Sequence, residues 1–246
     1  MKCHSCFVST RTLYCAKCQR ELFDGIKMKP LTFDKVKFNE IRRETGERIS
    51  FSGMQNKISL SLNAKGELEP TQKAGRYILK PYPSSGELFN AEDVVANEHL
   101  SMYLSEHVFK IYTAKRAVIP FSDGELAYIT KRFDYTVDGA KIPQEDFASI
   151  FAYDKNSKGE NFKFGSSYEI CAKKIREIIS VPIKEIEEFY KRILLNYLIG
   201  NGDAHLKNFS VMMLANQQRV LTPNYDILYT GYHIDETFDL IVNFRV

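Results

Sequence analysis

No apolar run in the chain approaches the roughly 18 residues that a membrane-spanning helix needs. The start, Met1-Lys2-Cys3-His4-Ser5-Cys6, lacks the apolar core of a signal peptide. These absences exclude a helical membrane protein and predict a cytoplasmic location. An excess of charge is also missing: 34 Lys+Arg against 31 Asp+Glu leave +3, too little to argue for nucleic acid. With 13 glycines and 8 prolines the chain is neither collagen-like nor low in complexity. What remains is an ordinary globular composition over 246 residues, enough for one large domain or two small lobes.

Cysteine is scarce and unevenly placed. Four of the five, Cys3, Cys6, Cys15 and Cys18, fall within the first eighteen residues, spaced Cys-x2-Cys, eight residues, Cys-x2-Cys. Two such knuckles can complete a four-sulfur tetrahedral shell, with a tight hairpin through Thr10, Arg11 and Thr12. Structural zinc suits a cytosolic chain; the alternative is chance thiols or a disulfide pair. A closed site of this kind is not catalytic, and the metal would supply folding energy to a segment too small to bury much core. The segment lacks interleaved basic and aromatic residues, so no direct nucleic-acid binding is expected. Cys171 reads as a buried core thiol.

Beyond the knuckle, Lys27 to Glu47 reads as linker plus a short helix. Ile58-Ser59-Leu60-Ser61-Leu62 alternates with the period of a half-buried strand, and Asn63 to Gly66 is a turn. Arg76 to Lys80 reads as a strand stopped by Pro81 and Pro83. Asn90 is placed to cap a helix with Glu92 and Asp93 in its first turn and Ala96, Leu100, Tyr103 and Leu104 on one face. Strands over Ala117 to Phe121 and Leu126 to Phe133 follow, joined by Ser122-Asp123-Gly124. From about residue 145 the pattern is helical. Lys155 to Gly165 reads as a loop, and Ser166 with Glu169 as a capping box. Lys184 to Ile199 is a helix with Ile186, Phe189, Tyr190, Ile193, Leu194, Tyr197 and Leu198 as an apolar core stripe, ended by Gly200.

Immediately after that helix, Asn201 to Ser210 gathers an acid, an imidazole, a base and an amide. A hairpin is expected next, with Phe209 to Leu214 and Arg219 to Thr222 as strands, which returns Asp226 beside Asn208. Amide and carboxylate oxygens so placed suit Mg²⁺. Asp203 and Asn208 have the Asp-x4-Asn spacing of a phosphoryl-transfer loop. That chemistry also calls for a strand lysine, a helix glutamate and a phosphate-covering turn. Lys80, Glu98 and Ser50 to Lys57 occur in that order.

These residues resemble the HipA family of bacterial serine/threonine kinase toxins, most nearly its short HipT-like members. The resemblance rests on Ser50 to Leu60, Tyr77 to Pro81, Tyr128 to Asp134, and Asn201 to Ser210 with Tyr225-Asp226. Gln144 to Phe147 and Ser167 to Glu169 add weaker support. It implies an α+β, bilobal, protein-kinase-like fold with a strand-rich N-lobe and a helical C-lobe, to which the cysteine spacing adds an N-terminal zinc knuckle. The expected boundaries are 1–25 for the knuckle, 26–135 for the N-lobe and 136–246 for a C-lobe incomplete at its end.

The resemblance further implies Asp203 as the catalytic Asp, with Lys80 and His205 beside it in the catalytic set. Asn208 and Asp226 would be Mg²⁺ ligands. ATP would be met by Ser52, Gly53, Gln55, Lys57, Lys80, Lys207, Asn208 and Asp226, and by the backbone around Lys131 and Phe133. Position 131 is Lys where the family often has Glu. Ser50 and Ser52 match loop serines that family members autophosphorylate. Expected partners are a protein substrate, an aminoacyl-tRNA synthetase by family analogy, and a HipB-like DNA-binding antitoxin or HipS-like small subunit. The competing functions are a small-molecule phosphotransferase and an inactive or partner-dependent nucleotide-binding module. Apolar Thr237 to Val246 and the short stretch after Asp226 suggest a truncated or split gene product.

Overall fold

The alternating stretch Ile58-Ser59-Leu60-Ser61-Leu62 forms strand β1 (Ile58–Leu62) of the computed structural model, which describes residues 1–45, 56–73, 75–83 and 88–234. β2 (Leu68–Pro70), β3 (Tyr77–Pro81), β4 (Arg116–Pro120) and β5 (Leu126–Lys131) complete an antiparallel sheet ordered β2-β1-β3-β5-β4. Opposed residues share a face. Ile58 meets Leu79, Leu60 meets Tyr77 and Leu79 meets Ile129, all buried. The other face of β3 carries Lys80, opposite Tyr128. The β3 strand includes Pro81, one residue past its expected stop; a proline lacks only a donor, and the last position of a strand tolerates that.

α1 (Ala16–Phe23), which the sequence reading missed, follows Cys15, and α2 (Lys35–Thr45) is the expected short helix. Cys3, Tyr14, Cys18, Leu22 and Phe23 share one buried cluster with Tyr77, Leu79, Ile119 and Ile129. The cysteine segment therefore buries more core than its size predicts, because it borrows the sheet's.

α3 (Val94–His107) departs from expectation. Asn90 has left-handed backbone and makes no side-chain cap, and Glu92 and Asp93 lie in a 3-10 turn (Ala91–Asp93) ahead of the helix. Leu100, assigned to the buried face, is half exposed, whereas Glu98, His99, Ser101 and Ser105 are buried. Polar groups can face inward here because partners meet them: Lys80 for Glu98 and Thr113 for Ser105.

The described contacts divide the chain into two compact units. One holds Met1–Tyr103 and Ala114–Arg132; the other holds Leu104–Thr113 and the residues from Phe133 onward. In the second, β6 (Gln144–Asp146), β7 (Ser210–Met213) and β8 (Arg219–Leu221) form an antiparallel sheet in that order. β7 and β8 are the expected hairpin, β7 one residue shorter at each end and β8 one residue shorter at its C-terminal end. α4 (Phe147–Ile150), α5 (Lys155–Lys158), α6 (Tyr168–Ile178) and α7 (Pro182–Leu198) complete the unit, α5 lying where a loop was expected.

The cap of α6 is Ser167, whose hydroxyl accepts from Ile170 N–H, not Ser166. α7 begins two residues earlier than expected, since Pro182 fits the first turn, and closes at Gly200 with φ 64°. Its apolar stripe splits. Phe189 is buried and Ile186 and Ile193 are partly buried, but Tyr190, Leu194, Tyr197 and Leu198 are 58, 53, 63 and 58% exposed. The helix turns Arg192 and Asn196 inward instead: Arg192 donates to Thr222 O (2.7 Å), and Asn196 receives Asn201. Among the described residues, no helix is long and apolar enough to cross a membrane.

Candidate active site

In the first unit, the Lys80 ammonium lies 2.7 Å from Glu98 Oε1, with side chains only 9% and 3% exposed. Lys80 also sits 5.6 Å above the ring of its cross-strand neighbour Tyr128. β3 aims the lysine off the face opposite Tyr77 and Leu79, and α3 supplies the carboxylate. Two charges are thus desolvated together and matched by a short, charge-assisted hydrogen bond.

In the second unit, the loop after α7 is shaped by side chains bonding to backbone. Asn201 anchors it: its amide donates to Asn196 Oδ1 (2.9 Å) and its own carbonyl accepts Asp203 N–H (3.2 Å). Thr230 closes the first turn by accepting from Gly202 N–H (2.7 Å) and donating to Gly200 O (3.1 Å). Tyr168 of α6 donates to Ala204 O (2.8 Å). Asn208 donates its side-chain amide to Asp203 O (2.7 Å), and this bond makes the Asp-x4-Asn spacing a single turn. Tyr225 donates to Lys207 O (2.9 Å), tying the residue before Asp226 to the residue before Asn208.

The Asp203 carboxylate is partly exposed and flanked by Lys163 Nζ and His205 Nε2, each at 3.5 Å. His205 is buried, and burial lowers its pKa below the usual imidazole value although Asp203 opposes the shift. Its Nδ1 has no hydrogen-bond partner, and Phe164 packs edge-on against its ring at 5.5 Å. Asp226 is exposed with φ 59°. Lys163 was missed by the sequence reading. It stands in a 3-10 turn (Phe162–Phe164) forty residues upstream of Asp203, and nothing local announces that approach.

Other expected site residues are distributed as follows. Lys131 is paired through its side chain with Asp24 (2.6 Å), and its N–H donates to Lys115 O. The Phe133 ring packs on Tyr225 at 5.5 Å. Lys207 is exposed, 5.9 Å above the Phe162 ring, and Lys57 is half-buried. Ser50, Ser52, Gly53 and Gln55 lie outside the described residues, as does Thr237 to Val246.

All five cysteines are free thiols. The sulfurs of Cys3, Cys6, Cys15 and Cys18 lie within 4.8 Å of one another, Cys6 and Cys15 at 3.7 Å. Four sulfurs around one zinc stand about 3.8 Å apart, given Zn–S bonds near 2.3 Å. Burial raises the Cys6 and Cys18 thiols, whereas at Cys15 hydrogen bonds from its neighbours outweigh burial and hold it at about 7. Thiols this crowded ionise together only around a cation, so the donor set fits a structural zinc. Cys171 is a buried core thiol, pushed up to about 12 by burial.

A family model described as HipA-like C-terminal domain matches residues 49–245. A Haemophilus influenzae protein named "Putative kinase" is 29% identical over 223 residues, covering 87% of this chain and 63% of that one. Sinorhizobium fredii "Putative kinase Y4dM" is 28% identical, covering 82% and 50%. The chain thus spans about half to three fifths of the length of these relatives. Among solved structures, Shewanella oneidensis HipA, determined with HipB and operator DNA, matches with TM-score 0.57 at 24% identity, covering 81% of this chain and 51% of that one. Helicobacter pylori CtkA, titled a proinflammatory kinase, matches with TM-score 0.50 at 18% identity over 73% and 56%. The expected kinase-like fold is thereby met.

Proposed function

The chain belongs to the HipA-like C-terminal domain family, and on that premise we propose that it is an ATP- and Mg²⁺-dependent serine/threonine protein kinase of the toxin type. The observation that carries the reading is the buried Lys80–Glu98 pair. Stability alone does not call for such a pair, since apolar residues in its place are often neutral or stabilising by about 1–4 kcal/mol. A strand lysine held by a helix glutamate is the arrangement that kinase phosphoryl transfer requires.

In this reading Lys80 holds the nucleotide phosphates, and Asp203 accepts the proton of the attacking hydroxyl. The donor set suits Mg²⁺. Asn208 commits its amide to Asp203 O and keeps its carbonyl oxygen for a cation, while Asp226 offers an exposed carboxylate. The bound ion would neutralise charge on the phosphate oxygens. His205 borders Asp203 at 3.5 Å with its pKa lowered by burial, and Lys163 balances the carboxylate's charge.

The remaining assignments follow the same reading. The backbone around Lys131 and Phe133 meets adenine; Ser52, Gly53, Gln55, Lys57 and Lys207 complete the nucleotide contacts; Ser50 and Ser52 are autophosphorylated. Residues 1–25 form the zinc knuckle, 26–135 the N-lobe and 136–246 the C-lobe. A HipB-like antitoxin or a HipS-like small subunit is the partner, supported by the match to a HipA solved with HipB. An aminoacyl-tRNA synthetase is the protein substrate that family analogy favours.

Incubation with radiolabelled ATP, Mg²⁺ and a bacterial lysate tests the proposal. Protein bands should label, and Asp203→Asn should slow labelling by about 10²–10⁴-fold, the usual contribution of a general base. Equal labelling by Asp203→Asn, or label confined to a small molecule, would overturn it.

A further inference from the structure

We propose that the metal-bound cysteine knuckle is the brace that sets the Lys80–Glu98 pair, with Phe7 as the positioning residue through which it acts. The two charges stand on different elements, β3 and α3, and a 2.7 Å pair survives only while those elements are held in register. The knuckle and α1 grip both. On the β3 side, Tyr77 donates to Leu22 O (2.9 Å), and its ring stacks on Phe23 at 5.7 Å; Tyr77 is three residues from Lys80. On the α3 side, the Phe7 ring meets His99 at 5.0 Å and Tyr103 at 4.9 Å, both edge-on; His99 is the residue after Glu98.

Between these two grips the knuckle is fastened along β4. Ser5 Oγ donates to Arg116 O (2.8 Å), Val118 N–H donates to His4 O (2.9 Å), and Tyr14 donates to Val118 O (2.9 Å). By register, Tyr77 and Lys80 point to opposite faces of the sheet. The knuckle thus reaches one face through α1 and the helix of the other face through Phe7.

Phe7 directly follows Cys6 and has φ 61°, a conformation that glycine adopts without steric cost and phenylalanine does not. The turn alone would favour glycine, so what phenylalanine adds is its ring. That ring covers His99, whose two nitrogens are buried without hydrogen-bond partners, so packing rather than hydrogen bonding holds this part of α3. The turn bearing Phe7 is fixed in turn by the four sulfurs, which a metal ion would lock.

The inference rests on the reading of Lys80 as the nucleotide lysine, but its test needs no nucleotide. In the zinc-loaded full chain, the rate at which an amine-acylating reagent labels Lys80, followed by mass spectrometry, reports how well Glu98 holds it. Phe7→Gly removes the ring while relieving the backbone. It should keep one zinc per chain and label about tenfold faster at Lys80, since two aromatic contacts are lost. Phe7→Tyr should restore slow labelling, and chelating the zinc should reproduce Phe7→Gly. Unchanged labelling in Phe7→Gly, unchanged labelling on chelation, or loss of zinc from Phe7→Gly would each overturn the brace. A nucleotide analogue that binds none of these proteins while labelling still responds would sink the kinase reading and leave the brace standing.

Discussion

The two candidate clusters, one in each unit, are built by opposite means. In the first unit, Lys80 and Glu98 stand on a strand and a helix, buried and 2.7 Å apart. In the second, Asp203 stands on a loop, partly exposed and 3.5 Å from each neighbouring cation or imidazole. The loop holds its shape because Asn201, Asn208, Tyr168, Thr230 and Tyr225 bond to its backbone. A group that must stay dry is best fixed by regular elements, which satisfy their own backbone. A group that must reach a substrate has to leave them, and its backbone then needs side-chain partners.

This contrast predicts unequal consequences for stability. Glu98→Ala leaves the Lys80 ammonium buried without its carboxylate and should cost about 3–5 kcal/mol. Asp203→Ala loses partly exposed pairs of the kind that contribute roughly 0–1 kcal/mol, and should unfold near the unmutated midpoint. Equilibrium urea unfolding of both variants measures the difference. Similar midpoints would break the comparison, because Glu98 would then be replaceable by water.

The same contrast explains what could be read from sequence. β1 was legible because it alternates about one buried face, the β7–β8 hairpin because two strands of similar length flank a polar turn, and the Asp203 loop because a polar cluster follows a helix stopped by Gly200. Lys80 and Glu98 were legible as an ordered pair, and the structure brings them together. The face of α3 was misread because amphipathic periodicity assumes that buried means apolar, whereas Glu98, His99, Ser101 and Ser105 turn inward to specific partners or packing. α7 was misread for the complementary reason. Its Tyr190, Leu194, Tyr197 and Leu198 fit a core stripe, yet Arg192 and Asn196 hold the inward positions that anchor Thr222 and Asn201. Lys163 and Phe7 were invisible, since each acts across a separation that no spacing rule spans.

Acidification should sharpen the comparison at a smaller amplitude. Burial, with Arg116 and His4 nearby, holds His99 at about 3. An unfolded histidine takes up its proton near 6.5, so between 6.5 and 3 the unfolded chain binds more protons and stability is lost as pH falls. His205 is also lowered by burial, but Asp203 pulls the other way, so its contribution should be weaker. Melting temperatures between pH 4.5 and 7.5 should therefore decline less in His99→Phe than in the unmutated protein, with His205→Phe showing the lesser flattening. Running all three proteins with a chelator present keeps any loss of metal on acidification out of the comparison. Equal slopes in the two variants would mean that the second unit desolvates its imidazole as fully as the first.

The smallest expected effect separates charge from architecture within the Asp203 loop. Lys163→Met removes an ammonium 3.5 Å from the carboxylate and none of the bonds that shape the loop. Stability should change by no more than about 1 kcal/mol, and the rate of phosphoryl transfer should fall by less than about tenfold in consequence. Salt should reproduce much of the loss in the unmutated protein, because a partly exposed pair is screened within a Debye length of about 10 Å at 0.1 M. Tyr168→Phe makes the opposite cut: it keeps every charge and deletes the bond to Ala204 O, so its effect should persist at all salt concentrations. If Lys163→Met instead proves as damaging as Asp203→Asn, and salt does not mimic it, Lys163 acts on the transferred group itself, and the loop is no longer the sole source of order around Asp203.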